Sequence, residues 1–139
     1  KKLSLSRANP YDYFIEELII APEYTAPIVN NQVFPIVRIE TKREFYNYEA
    51  KYLDSDTIFS FPDFPEDIRE NINLICMKAF NSIGCSDWGR IDFFMDENLL
   101  INLIEINSIP GMTDHSLVPK SAKRNGLSYD QLLLFLLEN

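Results

Sequence analysis

The chain has 139 residues, of which 46% are hydrophobic and 10 are Phe, so it amounts to about one domain with ample material for a buried core, which excludes disorder. Its formal net charge is −8 and it has no run of Lys or Arg, which excludes a nucleic-acid-binding surface. No apolar stretch approaches the roughly 20 residues that cross a membrane. The first residues also lack the apolar segment of a signal peptide, so we expect a soluble, cytoplasmic protein without a membrane partner.

The first third of the chain is predicted to be mainly β-structure. An aromatic and β-branched run at residues 13–20 predicts a strand. Because the chain starts without Met and enters this strand almost at once, we expect a piece of a longer protein. Two apolar runs, residues 24–29 and 33–39, flank a polar Asn-Asn-Gln turn and predict a hairpin. Residues 44–51 predict a short helix, and residues 53–65, which include two prolines, predict a loop.

The clearest helix is predicted after Pro65, which suits the first helical position and is followed by two acidic residues. Gly84 lies where a left-handed helix cap is expected. Cys76 and Cys85 have neither CxxC spacing nor a His partner, so they are predicted to be free thiols rather than a disulfide or a zinc site. Apolar side chains recur at helical spacing along this segment: Ile68, Ile72, Ile75, Ala79 and Phe80.

A second hairpin is predicted from residues 88–95 and 100–107, around a polar loop at residues 96–99. An even loop with Asp96 opposite Leu99 would bring four polar side chains to one face, and a change of one residue in loop length would destroy this convergence. The other face is predicted to be core (Ile91, Phe93, Met95, Ile104 and Ile106). The expected pairs are Arg90 with Glu105, Trp88 with Asn107, and Asp92 with Leu103.

The four polar residues, which we call the polar cluster, are Arg90, Asp92, Glu105 and Asn107. Oxygen ligands without His or Cys suit a hard cation, and Mg²⁺ is the usual one. Arg90 would either neutralise the acids or meet substrate charge. The alternative is a surface ion pair between Arg90 and Glu105, which contributes little to stability, beside two solvated polar side chains. Spacing alone leaves both interpretations open.

Two short helices are predicted to end the chain. After a loop at residues 108–115, Ser116 is expected to cap a helix that ends near Asn125. Ser128 is expected to cap a final amphipathic helix. Hairpins mixed with helices, without a regular alternation of strand and helix, predict an α+β fold.

Five segments resemble, in the right order, those of the D-alanine–D-alanine ligase family: PEYT at 22–25, FYNYEAKY at 45–52, WGRID at 88–92, LIEIN at 103–107 and SIPGMTDHSLVP at 108–119. The resemblance covers nearly the whole chain. It implies the C-terminal half of an ATP-grasp domain, an antiparallel sheet with helices packed on one face. It also implies ATP-dependent joining of two D-alanines through an acyl phosphate, for peptidoglycan synthesis. Ala21 departs from the family's usual glycine before Pro-Glu, which affects loop geometry rather than chemistry.

The resemblance assigns chemistry to the polar cluster. Asp92, Glu105 and Asn107 match the ligands of two Mg²⁺ ions, which Mn²⁺ can replace, with Glu105 bridging both. Such a pair of metals neutralises charge in phosphoryl transfer. Arg90 and the backbone at Gly111 match the donors that stabilise a tetrahedral intermediate.

Other matches concern the substrates. Ser116 and Leu117 match the pocket for the carboxylate of the second D-alanine. Lys51 matches the lysine that meets the transferred phosphate, and Tyr52 matches the tyrosine of a lid loop. Glu16 and Glu23 match the residues that hold adenine and ribose in the nucleotide site. Glu17 and Ile19 match the backbone and apolar contacts beside them.

Each assignment has a structural alternative. Glu16 and Glu17 would otherwise be edge-strand charges, Lys51 and Tyr52 an ordinary helix end, and Ser116 only a helix cap. The family's N-terminal and central domains, with the phosphate loop and the first D-alanine site, are absent from these 139 residues, so we expect residues 1–139 alone to be inactive and the whole protein to be a homodimer. The alternatives are another ATP-grasp carboxylate–amine ligase and a non-catalytic module.

Overall fold

The structure, a computed structural model, describes residues 17–40 and 57–138. The predicted helix at 44–51 and most of the predicted strand at 13–20 lie outside these ranges, and residues 17–20 have no regular structure. The strands are β1 (Glu23–Val29), β2 (Gln32–Val33), β3 (Val37–Glu40), β4 (Ile58–Ser60), β5 (Trp88–Met95) and β6 (Ile101–Asn107). The helices are α1 (Glu66–Ser82), α2 (Leu117–Arg124) and α3 (Tyr129–Leu137).

The strands form one antiparallel sheet in the order β4-β3-β1-β5-β6, and β2 pairs with one end of β1. β1 is central and pairs with β5 along its whole length, from Glu23 opposite Phe94 to Val29 opposite Trp88. This pairing joins segments far apart in sequence and brings β1 beside the second hairpin.

The first predicted hairpin is confirmed. Asn30 and Asn31 have left-handed φ values of 47° and 59°, which the primed two-residue turns of hairpins require and which Asn tolerates. The second predicted strand is divided into β2 and β3. Pro35 lies between them and has no N–H to donate to a ladder, so it interrupts the pairing.

The predicted helix after Pro65 is confirmed as α1, and Gly84 has the expected left-handed φ of 74°. α1 buries Ile72, Cys76 and Phe80 on the sheet. The predicted loop at 53–65 is partly wrong, because Ile58–Ser60 forms β4 against β3. The segment at 57–61, Thr-Ile-Phe-Ser-Phe, is rich in β-branched and aromatic residues, but the nearby prolines and polar residues favoured a loop.

Side chains alternate along the strands and divide the core into two parts. Ala26 and Ile28 pack with Ile72 and Phe80 of α1. The opposite face packs on α2 and α3, through Val29 with Val118, Ala122 and Leu132, and through Val37 and Ile39 with Leu117. The α+β class with an antiparallel sheet is confirmed, but helices cover both faces of the sheet where one was expected.

The final two helices begin where predicted. Ser128 forms a complete capping box with Gln131, and Gly126 follows α2 with a φ of 89°. Within the ranges described, no helix is both long and apolar enough to cross a membrane.

Candidate functional site

The hairpin of β5 and β6 turns through a longer connection than the predicted one. The Asp96 N–H donates to the Leu100 carbonyl at 3.3 Å, and Leu99 has a left-handed φ of 64°. Asp96 Oδ1 accepts from the N–H groups of Asn98 and Leu100, at 2.9 Å each. A three-residue loop that ends in a left-handed residue is a common hairpin connection. The expected even loop, with Asp96 opposite Leu99, is therefore wrong.

A β-bulge in β6 cancels the effect of the odd loop. Phe93 lies opposite Leu103, whereas Asp92 lies opposite Glu105, so one residue of β6 is extra at this point. That residue, Ile104, is 45% exposed rather than part of the core. One extra residue reverses the alternation of side chains between faces, and Glu105 therefore lies on the same face as Asp92.

The polar cluster thus shares one face of the hairpin, which is the face that packs on α2 and α3. Arg90 lies opposite Asn107, and Asp92 lies opposite Glu105. These pairs differ from the expected ones by a shift of two residues along β6. The cluster nevertheless lies on the predicted face, because the loop and the bulge each shift β6 by one residue and a shift of two restores the alternation.

Asp92 is buried, with 1% of its surface exposed, and three hydrogen bonds hold its carboxylate. Arg90 donates through Nε to Oδ1 at 2.8 Å and through Nη2 to Oδ2 at 2.7 Å, a bidentate ion pair. The Thr25 hydroxyl donates to Oδ1 at 2.5 Å. A buried carboxylate is unfavourable unless it is paired and hydrogen-bonded, and these three bonds supply its partners. Removing one partner of a buried ion pair typically costs about 3–5 kcal/mol.

Thr25 was not predicted from the sequence. It is fully buried on β1, directly opposite Asp92. The one local signal is a hydroxyl within a strand whose other buried positions are aromatic, aliphatic or proline. A buried polar group needs a hydrogen-bond partner, but its partner lies on β5, and the β1–β5 register has no local signature.

Glu105 and Asn107 provide the other oxygen donors on this face. Glu105 is exposed and Asn107 is half-buried. The Asn107 Oδ1 accepts from the Ile109 N–H at 3.2 Å, which leaves one lone pair for a cation. Two carboxylates and an amide oxygen suit Mg²⁺, which usually completes its six ligands with water and phosphate oxygens. Among the residues described, no group of three or more His, Cys, Asp or Glu side chains could hold a metal ion.

The loop after β6 folds back on itself around Ser116. The Ser116 hydroxyl accepts from the Thr113 N–H at 3.1 Å and hydrogen-bonds to Thr113 Oγ1 at 2.9 Å. A Cβ at Gly111 would lie 3.0 Å from Ser116 Oγ, so the glycine permits this close approach. The Tyr129 hydroxyl donates to the Met112 carbonyl at 2.6 Å and ties the loop to α3.

Ser116 lies at the N-cap position of α2, but its side chain makes no capping hydrogen bond, so the predicted cap is wrong. The start of α2 therefore has N–H groups without a side-chain acceptor, an arrangement that favours an anion. Leu117 is 6% exposed and packs with Val37 and Ile39. Its side chain therefore belongs to the core, and only its backbone is left for the predicted carboxylate pocket.

The nucleotide-site residues are only partly described. Glu23 is the first residue of β1 and lies on the same sheet face as Thr25. Its partner on β5 is Phe94, two residues beyond Asp92. Glu17 is exposed and Ile19 is half-buried, and both precede β1 without regular structure. Three further predicted site residues, Glu16, Lys51 and Tyr52, lie outside the described residues.

The fold matches solved structures of D-alanine–D-alanine ligases. The D-alanine–D-alanine ligase of Bacillus anthracis, solved in complex with ATP, matches 88% of this chain with a TM-score of 0.76 and 29% sequence identity. The match covers 39% of that chain. The fold is therefore that of the C-terminal part of an ATP-grasp ligase.

The sequence comparisons give the family. The family model of the D-ala D-ala ligase C-terminus matches residues 3–138, and the chain belongs to this family. It is 36% identical to D-alanine–D-alanine ligase B of Chromobacterium violaceum over 99% of its length, and 41% identical to the D-alanine–D-alanine ligase of Nitrosococcus oceani over 89%. The chain spans 46% and 40% of these two relatives, less than half of either.

Proposed function

We propose that the whole protein to which this chain belongs joins two D-alanines with ATP, and that residues 1–139 are the C-terminal part of its ATP-grasp domain. The observation that carries the proposal is the polar cluster itself. A bidentate Arg90–Asp92 pair is buried beside Glu105 and Asn107, in a chain of this family. A buried charge costs free energy unless it is paired. A site that had lost its function would therefore have no reason to keep Arg90 and Asp92 as a buried pair.

In the proposed reaction, the γ-phosphate of ATP passes to the carboxylate of the first D-alanine. The amine of the second D-alanine attacks the acyl phosphate, and phosphate leaves. Two Mg²⁺ ions, or Mn²⁺ in their place, would neutralise the phosphate charge when bound. Asp92, Glu105 and Asn107 would hold them, with Glu105 shared. The donor types support this assignment, because all are oxygen ligands on one face of the hairpin.

Arg90 and the N–H at Gly111 would donate to the oxygens on which negative charge develops during attack. The second D-alanine would place its carboxylate at the start of α2, by Ser116 and the Leu117 backbone. This position is supported by the uncapped N–H groups there. Glu16, Glu17, Ile19 and Glu23 would hold the nucleotide, with Lys51 at the transferred phosphate and Tyr52 in the lid. The family resemblance extends the proposal to a cytoplasmic homodimer that supplies peptidoglycan synthesis.

The test is phosphate release from ATP by the whole protein, with D-alanine, L-alanine or glycine as the amino acid. Release is expected with D-alanine and not with L-alanine, and residues 1–139 alone are expected to release none. Glu105→Gln removes a ligand charge shared by both metals, so we expect kcat to fall by about 100-fold or more with little loss of stability.

Glu97→Gln is the matched control, because Glu97 is an exposed residue of the hairpin loop and its substitution makes the same change in charge. Its turnover should equal that of the unmodified protein. Equal rates with L-alanine, or full turnover in Glu105→Gln, would overturn the proposed reaction. Release that depends on a different pair of carboxylate and amine would instead indicate another ATP-grasp ligase.

A further inference from the structure

Thr25 is a buried hydroxyl aimed at the polar cluster from the neighbouring strand. It has no exposed surface, and its Oγ1 lies 2.5 Å from Asp92 Oδ1 but 3.4 Å from the Ile91 carbonyl. A hydroxyl has one proton to donate. The shorter distance therefore assigns that proton to the carboxylate, where the hydrogen bond is also stronger because its acceptor is charged.

The two carboxylate oxygens of Asp92 accept different numbers of hydrogen bonds. Oδ1 accepts two, from Thr25 Oγ1 and Arg90 Nε, which occupy both of its lone pairs. Oδ2 accepts one, from Arg90 Nη2, and keeps one lone pair. With this network intact, a cation can be bound by Asp92 only through Oδ2 and only in monodentate form.

We propose that Thr25 is a positioning residue, which holds Asp92 Oδ1 so that Oδ2 is the oxygen offered to a divalent cation. The proposal rests on the proposed function, because it takes Asp92 as a metal ligand. Arg90 contacts both oxygens of the carboxylate, whereas Thr25 contacts Oδ1 alone and so makes the two oxygens unequal. Thr25 is β-branched and stiff about χ1, and it lies on the central strand, paired with β3 and β5 on its two sides.

The experiment measures Mn²⁺ binding to the whole protein with ADP present, from the loss of the free Mn²⁺ signal in electron paramagnetic resonance. Thr25→Val keeps the shape and removes the donor, and Thr25→Ser keeps the donor. We expect Thr25→Val to raise the Kd for Mn²⁺ by about 10-fold or more, as lost outer-shell contacts do. Thr25→Ser should stay close to the unmodified protein. In turnover, Thr25→Val should raise the KM for Mg²⁺ by a larger factor than it lowers kcat.

Ser121→Ala is the matched control for loss of a buried hydrogen bond. Ser121 is also fully buried, and its hydroxyl donates to the Pro35 carbonyl at 2.6 Å, away from the polar cluster. Its substitution should leave the Kd for Mn²⁺ unchanged. If Thr25→Val fails to fold, Thr25→Cys keeps the size with only a weak donor and is expected to show the same loss.

The outcomes separate this proposal from the proposed function. Weak Mn²⁺ binding in Asp92→Asn with unchanged binding in Thr25→Val would overturn the role of Thr25 alone. The same would follow if Thr25→Ser lost as much affinity as Thr25→Val, or if Ser121→Ala lost as much. Unchanged Mn²⁺ binding in Asp92→Asn would overturn the metal site and the role of Thr25 together.

Discussion

Gly89 shows how the absence of one Cβ shapes the surroundings of the polar cluster. A Cβ at this position would lie 2.5 Å from Phe80 Cε2 and 3.1 Å from the Asn107 carbonyl oxygen. Phe80 is fully buried, so its ring packs directly on the backbone of β5. The glycine therefore joins the core under α1 to the strand that carries Arg90 and Asp92.

Gly89→Ala is expected to destabilise the protein by about 1–3 kcal/mol, because the added methyl group overpacks a closed core. Denaturant unfolding measures this change. The double variant Gly89→Ala with Phe80→Leu should cost less than the sum of the two single changes, since the smaller side chain makes room. Strict additivity would contradict the role assigned to the Phe80 contact.

Single residues also mark the limit of what the sequence predicts. Ser128 was predicted as a helix cap and is one, because its partner Gln131 is three residues away. Ser116 has the same residue type at the same position, yet its hydroxyl is held by Thr113 in the preceding loop. Thr25 was not predicted at all, because its partner is 67 residues away along the chain. The spacing of Ser128 and Gln131 predicts a capping box, but it does not show that Thr113, also three residues away, holds Ser116 in the loop. The distant partner of Thr25 requires the strand register.

At the level of elements, both hairpins and all three described helices were predicted, since each has turn residues or an apolar period of its own. The register of β5 and β6 was not. The odd loop depends on a left-handed Leu99, a residue type that rarely adopts that conformation, and the bulge at Ile104 has no sequence signal. The two errors of one residue add to a shift of two residues along β6, and a shift of two leaves each side chain on the predicted face.

The bulge leads to a prediction about deletions. Ile104 is the extra residue, so its deletion leaves Glu105 opposite Asp92 and is expected to cost about 1–2 kcal/mol with the site retained. Deletion of Ile106 would instead move Asn107 opposite Ile91, on the face packed against α1. An unsatisfied amide in that core is expected to cost a further 1–3 kcal/mol or so.

Thermal unfolding and Mg²⁺-dependent phosphate release by the whole protein compare the two deletions. Turnover should survive deletion of Ile104 and be lost on deletion of Ile106. Equal loss in both would contradict the bulge assignment, and equal retention would show that Asn107 is not needed on this face.

For the molecule as a whole, helices on both faces give the sheet two separate cores. The prediction of one covered face underestimated this, because short helices such as α2 carry no signal for the face they will cover. Cys76 lies in the core beneath α1 and is fully buried. Burial raises the pKa of its thiol to about 12, since the thiolate is poorly solvated there.

Cys76 therefore serves as a probe of global opening. In Cys85→Ser, which leaves Cys76 as the one thiol of residues 1–139, labelling of Cys76 by a thiol reagent at pH 8 should be slower than in denaturant by about 10³-fold or more. The raised pKa keeps the folded thiol protonated at that pH, so labelling requires exposure to solvent. The companion variant Cys76→Ser, with the half-buried Cys85, should label readily. Fast labelling of Cys76 without denaturant would show that this core is not closed.

The exposed edge of the sheet has a consequence for aggregation. Within the described residues, β6 pairs with β5 alone, and its Leu103 and Ile104 are each 45% exposed. An apolar strand edge of this kind is a template for addition of further strands, and charged side chains protect it. In residues 1–139, Glu105 is the charge that interrupts this apolar stretch, so we expect this proposed metal ligand to protect the edge against fibril formation as well. Substitutions at Glu105 are therefore expected to lower solubility as well as turnover, and light scattering would separate the two effects.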